Sequence, residues 1–150
     1  MTTLQGKVAI VTGAAALLGS AIVRAFVQAG ARVVAVDIDA VRGEALAAGL
    51  GEGCRFVACD IASDDALDAL VAGVLRTEGR IDCLVNNAVV YGDAGLGAAR
   101  ADWLSALNVN LVSGAMLVQK SADALAAQGG AIVNMGSAGG KFGAAGRALY

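Results

Sequence analysis

The 150-residue sequence contains no histidine, no proline and only three cysteines, and its lysines and arginines are not clustered. The absence of histidine excludes a Ser–His–Asp triad and most zinc sites. The cysteines, Cys54, Cys59 and Cys83, form no Cys-x-x-Cys pair and lie in or beside strand-like runs. We interpret them as buried thiols in a reducing cytosol, and no metal site is predicted.

Charged residues are also scarce: they make up 16% of the chain, and the formal net charge is −2. Because no basic cluster is present, binding to nucleic acid has no electrostatic support. The first six residues contain no basic region followed by an apolar run, so no signal peptide is visible. We therefore expect a cytoplasmic protein that does not bind nucleic acid.

Hydrophobic residues make up 57% of the chain, and the mean hydropathy is +0.68. This composition fits either a membrane protein or an α/β core whose parallel strands are buried on both faces. The longest uncharged stretches, residues 8–23 and 103–119, fall short of the ~20 apolar residues of a spanning helix and contain polar residues. The second interpretation is favoured, with one domain over residues 1–150 and no membrane partner.

Apolar runs of strand length alternate with segments of helical period along the whole chain. Five runs predict strands: residues 7–11, 32–37, 55–58, 81–85 and 131–135. Between the first two, apolar residues repeat at intervals of three and four, which predicts a helix that ends before Gly30. Strands and helices in alternation predict a parallel sheet with right-handed crossovers and helices on both faces.

The third predicted helix has the clearest end signals. Ser63 is an N-cap candidate, Asp64 and Asp65 suit the positive end of the helix dipole, and Arg76 suits the last turn. Gly79 tolerates the left-handed conformation that often follows a helix. We predict a helix between Ser63 and Gly79.

A glycine-rich turn joins the first strand to the first helix. Gly13 and Gly19 would let backbone N–H groups and the helix N-terminus approach a pyrophosphate, although a tight turn without a ligand would also use them. Asp37 ends the second strand, where a carboxylate can accept hydrogen bonds from both ribose hydroxyls and would repel a 2′-phosphate. We prefer this role to that of a solvated aspartate, and it predicts NAD as the cofactor.

Two hydroxyl groups stand near the end of the chain. Ser137 follows the last predicted strand, and Tyr150 comes thirteen positions later. Ser137 could satisfy the backbone of a turn, and Tyr150 could be a packing aromatic residue. Their spacing favours a catalytic interpretation instead. A free tyrosine has a pKa of ~10 and is a poor base unless a neighbouring cation lowers that pKa.

Taken together, these motifs resemble those of the short-chain dehydrogenase/reductase family, and the resemblance covers all 150 residues. The family's turn Thr-Gly-x-x-x-Gly-x-Gly is matched by Thr12, Gly13 and Gly19, and its Asn-Asn-Ala-Gly by Asn86-Asn87-Ala88. The resemblance implies an α/β fold of the Rossmann type: a doubly wound parallel sheet of strand order 3-2-1-4-5, apparently truncated before the family's C-terminal strands and substrate loop.

The resemblance also implies the roles of individual residues. Tyr150 would be the general acid/base, Ser137 would hydrogen-bond the substrate oxygen, and Asn110 in the fourth helix would anchor a water in a proton relay. NAD would be held by eight residues: Gly13, Leu18, Gly19, Asp37, Asp60, Ile61, Asn87 and Ala88. The substrate would be a small alcohol or carbonyl compound, and the full-length protein a homo-oligomer that pairs through its fourth and fifth helices.

Three departures from the family pattern are visible. Leu17 replaces the middle glycine of the turn, Val89 replaces the last glycine of Asn-Asn-Ala-Gly, and the family's lysine would be residue 154, which the sequence does not contain. The alternative hypothesis is therefore a non-catalytic product, a truncated or decayed relative that binds a dinucleotide weakly or not at all. In that case the last strand would be a bare sheet edge, prone to aggregation.

Overall fold

The computed structural model describes residues 3–92 and 95–142. All five strands pair in parallel in one sheet of order β3-β2-β1-β4-β5. The strands are β1 (Val8–Thr12), β2 (Arg32–Asp37), β3 (Cys54–Ala58), β4 (Cys83–Asn86) and β5 (Ala131–Asn134). The predicted fold and strand order are confirmed, and the strand ends lie within two residues of the predicted ones.

Helices fill the connections between the strands. They are α1 (Leu17–Gln28), α2 (Ala40–Leu50), α3 (Asp64–Glu78) and α4 (Arg100–Ala127). Within α4, a π-helical segment at Asn108–Val112 separates α-helical Arg100–Leu107 from α-helical Ser113–Ala127. Short 3₁₀ turns occupy Gly51–Gly53, Gly95–Gly97 and Ala138–Gly140.

Strands β1 and β2 are buried on both faces, because helices cover both sides of the sheet there and successive side chains of a strand point to opposite sides, whereas the edge strand β5 is exposed along its length. Val33 of β2 packs in one cluster with Val23 of α1 and Leu46 of α2. The next residue, Val34, packs in the other cluster, which contains Leu70 of α3 and Leu117 of α4. A sheet covered on both faces accounts for the strongly apolar composition of the chain.

The predicted third helix is confirmed at both ends. The Ser63 hydroxyl accepts a hydrogen bond from the Ala66 N–H at 3.3 Å, and Gly79 has φ 74°, the left-handed conformation expected after the helix. Gly30, predicted to follow α1, also has a positive φ of 93°.

Helix α4 is the one helix among the described residues that is long and apolar enough to cross a membrane. It has 28 residues, and its most apolar 18-residue window has a mean hydropathy of 1.2 and is 17% buried. The core helices of soluble proteins meet the same criteria of length and composition, so this finding is weak support for a membrane span. The expectation that the chain has no membrane partner stays a prediction.

Candidate active site

A groove of about 870 Å³ lies at the carboxyl ends of the strands. This is the edge where doubly wound sheets bind their ligands, and the volume is in the range of small-molecule sites. Ten of the predicted site residues line it: Gly13, Leu18, Gly19, Asp37, Asp60, Ile61, Asn87, Ala88, Asn110 and Ser137. Tyr150, the remaining one, lies outside the described residues.

The two glycines of the turn after β1 are required by packing. Gly13 has φ 64°, and a Cβ there would lie 2.7 Å from Ala88 Cα. A Cβ on Gly19 would overlap the carbonyl group of Gly13. Both positions therefore need glycine for the turn to close against α1 and the loop after β4, whether or not a ligand is bound.

Thr12, at the end of β1, joins the turn to the end of β4. Its buried hydroxyl donates to the Val85 carbonyl at 3.3 Å and accepts from the Asn87 and Ala88 N–H groups at 3.0 and 3.1 Å. The Asn87 amide donates in return to the carbonyls of Thr12 and Gly13 at 3.0 and 3.2 Å. The hydroxyl uses its donor and both acceptor sites, and it fixes the carboxyl ends of β1 and β4 to each other.

The Asp37 carboxylate is held by two backbone groups. Its Oδ2 accepts from the Ala15 N–H at 2.9 Å, and its Oδ1 accepts from the Asp39 N–H at 3.0 Å. Each carboxylate oxygen has two lone pairs, so each can accept one more hydrogen bond. The geometry suits two neighbouring hydroxyl groups as ligands.

Next to Asp37, the first turn of α2 carries an ion pair. Asp39 accepts from the Arg42 backbone N–H at 2.9 Å and from its Nε at 2.7 Å, and these bonds from Arg42 lower the pKa of Asp39. Among the described residues that line the groove, the charged ones are Asp37, Asp39, Asp60 and Arg42. This end of the groove is therefore net negative, and its one cation already has a partner.

The end of β3 forms another wall of the groove. Asp60 Oδ1 accepts from the Ala62 N–H at 2.9 Å, which fixes the turn into α3, and the neighbouring Ile61 is buried. Cys59 also lines the groove, and burial together with the adjacent Asp60 raises the pKa of its thiol. The wall thus combines an apolar side chain with a carboxylate.

Asn110 lies in the π-helical segment of α4, a distortion often found at functional sites. Its Oδ1 accepts from the Val90 N–H at 2.8 Å, and its Nδ2 donates to the Val90 carbonyl at 3.1 Å. The Asn110 amide therefore pairs with both backbone groups of Val90, in the loop after β4, as the backbone of a neighbouring strand does in a sheet. Its predicted role as anchor of a proton relay stays a prediction.

Ser137 follows β5 and lies at the groove. Its Oγ accepts from the Gly139 N–H at 3.0 Å, and its own O–H donates to no other residue in the part of the chain that the structure describes. An unpredicted hydrogen bond joins the ends of β4 and β5, where Asn86 Nδ2 donates to Asn134 Oδ1 at 2.8 Å. The signal was present, because each asparagine ends a strand and the two strands are neighbours in register.

Two of the three departures from the family pattern, Leu17 and Val89, also line the groove. Leu17 is 94% exposed and Val89 is 40% exposed. In the described ranges, no residue other than glycine has a positive φ, so Val89 fits its loop without backbone strain. The same ranges contain no group of three or more His, Cys, Asp or Glu that could hold a metal ion.

Comparison with known proteins gives one consistent family. A sequence model described as short chain dehydrogenase matches residues 7–150. The chain is 47% identical to D-threitol dehydrogenase of Mycolicibacterium smegmatis, covering 89% of the chain and 54% of that protein. It is 36% identical to galactitol 2-dehydrogenase of Agrobacterium fabrum, covering 98% and 59%. The chain thus spans about half the length of the curated relatives it matches.

Similarity extends to solved structures. A metagenomic short-chain oxidoreductase, determined in complex with NADP, matches with a TM-score of 0.91 and 38% sequence identity. The match covers 98% of this chain and 69% of that one.

Proposed function

The chain belongs to the short-chain dehydrogenase family, and we propose that it binds NAD in the groove and serves the interconversion of an alcohol with its ketone or aldehyde. One observation carries the proposal: residues predicted from separate motifs converge on a single groove at the carboxyl ends of the strands. Similar proteins named for D-threitol and galactitol support a small polyol as the substrate.

The residues of the groove fit a dinucleotide. Asp37 retains one acceptor site on each oxygen for the two ribose hydroxyls, and the N-terminus of α1 offers backbone N–H donors. Ile61 supplies an apolar surface for the adenine base. When bound, NAD supplies the hydride acceptor, and the chain supplies binding, orientation and proton transfer.

The choice of NAD over NADP depends on charge. The similar solved structure contains NADP, so this choice must follow from residues of the present chain. A 2′-phosphate would stand beside the Asp37 carboxylate, and Arg42 is already paired with Asp39. Repulsion by Asp37, with no unpaired cation among the described residues that line the groove, supports NAD.

In the proposed chemistry, Tyr150 transfers the proton to or from the substrate oxygen, and Ser137 donates a hydrogen bond to that oxygen. Asn110 keeps the loop after β4 in place through Val90 and would anchor the relay that resupplies the proton. These roles follow the family resemblance, and the exposed hydroxyl of Ser137 at the groove supports its part.

We also propose a cytoplasmic homo-oligomer built from one NAD-binding domain over residues 1–150. Helix α4 supports the oligomer, because Leu104, Leu107 and Leu111 recur at helical spacing and are 58%, 52% and 64% exposed. A stripe of this kind is typical of a protein–protein contact.

Calorimetric titration with NAD and NADP, followed by spectrophotometric assays with four- to six-carbon polyols, tests the proposal. The assays should use the protein as its gene encodes it. We expect saturable NAD binding and polyol-dependent formation of reduced nicotinamide. Absence of any dinucleotide binding by a folded sample would contradict the proposal.

The second candidate is a dinucleotide-binding relative without catalysis. The exposed Leu17 at the groove favours it, as do the exposed residues of β5, where Ile132 and Val133 are 43% and 42% exposed. NAD binding without turnover by the 150-residue chain, together with aggregation on storage, would identify this case. Reading the coding DNA for a lysine at residue 154 distinguishes a decayed gene from an intact one.

A further inference from the structure

We propose that Leu17 weakens the binding of a pyrophosphate in the groove, so that the groove selects the adenosine half of a dinucleotide more strongly than its phosphates. This inference rests on the proposed function, because it concerns the same groove. In this proposal, the exposed side chain of Leu17 controls the affinity of the groove for phosphorylated ligands.

The first step is the position of Leu17. It is the first residue of α1, and side chains of an α-helix lean toward the helix N-terminus. The Leu17 side chain is 94% exposed and lines the groove, so it packs against almost nothing in the protein. It therefore projects beside the N–H groups of the first turn of α1.

The second step concerns those N–H groups. The first N–H groups of any α-helix have no acceptor within the helix. Helices α2 and α3 are capped by Asp39 and Ser63, whereas the residue at the N-cap of α1 is Ala16, whose side chain makes no capping hydrogen bond. Leu17, Leu18 and Gly19 of this first turn line the groove, where its N–H groups would attract an anion.

The third step is the cost of desolvation. An anion at this helix end exchanges water for backbone donors, and the isobutyl group of Leu17 removes water without offering a hydrogen bond in its place. The adenosine half of a dinucleotide would contact Asp37 and Ile61, which lie on other elements. The effect of Leu17 should therefore be confined to ligands that contain the pyrophosphate.

The test compares two ligands on four proteins by calorimetric titration and ligand-observed NMR. The ligands are NAD and adenosine, and the proteins are the unmutated chain, Leu17→Gly, Leu17→Ala and the control Leu96→Ala. Leu96 is 96% exposed and is not among the residues found to line the groove. Alanine has a high helix propensity and glycine a low one, so Leu17→Ala should fold even if Leu17→Gly does not. The inference can then still be tested with Leu17→Ala alone.

We expect both Leu17 variants to bind NAD about tenfold more tightly, the scale of one recovered charged hydrogen bond, with the adenosine affinity and the control unchanged. Unchanged or weaker NAD binding by the folded Leu17→Ala protein would overturn the inference and leave the proposed function intact. An equal gain for adenosine would also overturn it, because the effect would not belong to the phosphates. If no protein binds either ligand, the inference and the proposed function both fail.

Discussion

The Ala15 N–H donates a hydrogen bond to Asp37 Oδ2 at 2.9 Å, so the carboxylate that ends β2 also holds the turn that follows β1. The other oxygen, Oδ1, accepts from the Asp39 N–H at the approach to α2. Two backbone N–H groups, one in each turn, thus fix the orientation of the Asp37 carboxylate. They also fix the direction in which its remaining lone pairs can accept hydrogen bonds. A group fixed in this way can select between ligands because it cannot turn away from the unfavourable one.

The first prediction concerns this carboxylate. Asp37→Ala should reduce the preference for NAD over NADP by about 1–3 kcal/mol, the scale of a hydrogen-bonded charge. The substitution also loosens the turn at Ala15, but this defect weakens both dinucleotides alike. The ratio of the two dissociation constants, measured by titration, therefore isolates the contribution of the charge.

Asp123→Ala, an exposed aspartate on α4, is the matched control and should leave the ratio unchanged. Equal affinity of the unmutated protein for NAD and NADP would rule out the assignment of Asp37 to the ribose.

The second prediction concerns the Thr12 hydroxyl. Thr12→Val keeps the shape of the side chain but leaves the N–H groups of Asn87 and Ala88 without their acceptor. Leaving a buried donor unsatisfied costs about 1–3 kcal/mol, so we expect a loss of that size or more in the free energy of unfolding in urea. Thr12→Ser keeps the hydroxyl and should recover most of the loss. Equal stability of the valine and serine variants would show that the hydroxyl is unimportant.

The alternation of strands and helices predicted a parallel sheet with right-handed crossovers, and the family resemblance supplied the strand order 3-2-1-4-5. Individual contacts could not be predicted in this way. Asn110 and Val90 are twenty residues apart, and their hydrogen bonds depend on the docking of α4 against the loop after β4. Asn86 meets Asn134 only because β4 and β5 are neighbours in register. The π-helical segment could not be predicted from the spacing of apolar residues either. A single inserted residue changes that spacing too little to be detected over a few turns of helix.

The third prediction concerns Asp82, which lies at the amino ends of the strands, opposite the groove. The buried Asp82 carboxylate accepts from the Val8 N–H, from Lys7 Nζ and from two nitrogens of Arg80. The hydrogen bonds from Arg80 are the main cause of the lowered pKa of Asp82, with smaller contributions from Val8 and Lys7. Because the pKa is lower in the folded state, the carboxylate stabilises the fold above the unfolded pKa of about 3.9, and this contribution is lost as the pH falls below it.

We therefore expect Asp82→Asn to destabilise the protein at neutral pH by about 1.5–3 kcal/mol, the scale of hydrogen bonds to a charged group. The difference from the unmutated protein should shrink below about pH 4, because the unmutated protein loses the same contribution there. Unfolding in urea at several pH values measures both effects. A difference that stays constant from pH 7 to pH 3 would contradict the interpretation.

The fourth prediction concerns the outward stripe of α4. Leu107→Glu places a charge among Leu104 and Leu111 and should shift a homo-oligomer toward monomer in sedimentation velocity. Leu96→Glu, an exposed leucine outside α4, is the control and should not alter the distribution. An unmutated protein that is monomeric at high concentration would show that α4 does not mediate self-association.

The last prediction concerns the two hydroxyl groups proposed to act on the substrate, assayed in the protein as its gene encodes it. Tyr150→Phe keeps the ring but removes the transferable proton, so turnover should fall by the ~10²–10⁴-fold typical of acid–base catalysis. Ser137→Ala removes one hydrogen bond to the substrate oxygen, a loss of about 2.7–4 kcal/mol at most. NAD affinity should change little in either variant, because the adenosine half is bound on other elements.

The pH profile separates these two roles. The dependence of turnover on pH reports the ionisation of the group that transfers the proton, so Ser137→Ala should retain the profile of the unmutated enzyme at a lower rate. Tyr150→Phe should lose the limb that reports the ionisation of the tyrosine. If Tyr150→Phe instead keeps near-normal turnover and an unchanged profile, Tyr150 is not the acid/base. In that case the thirteen-residue spacing from Ser137 would carry no catalytic meaning, and the proton would have to be transferred by another group at the groove.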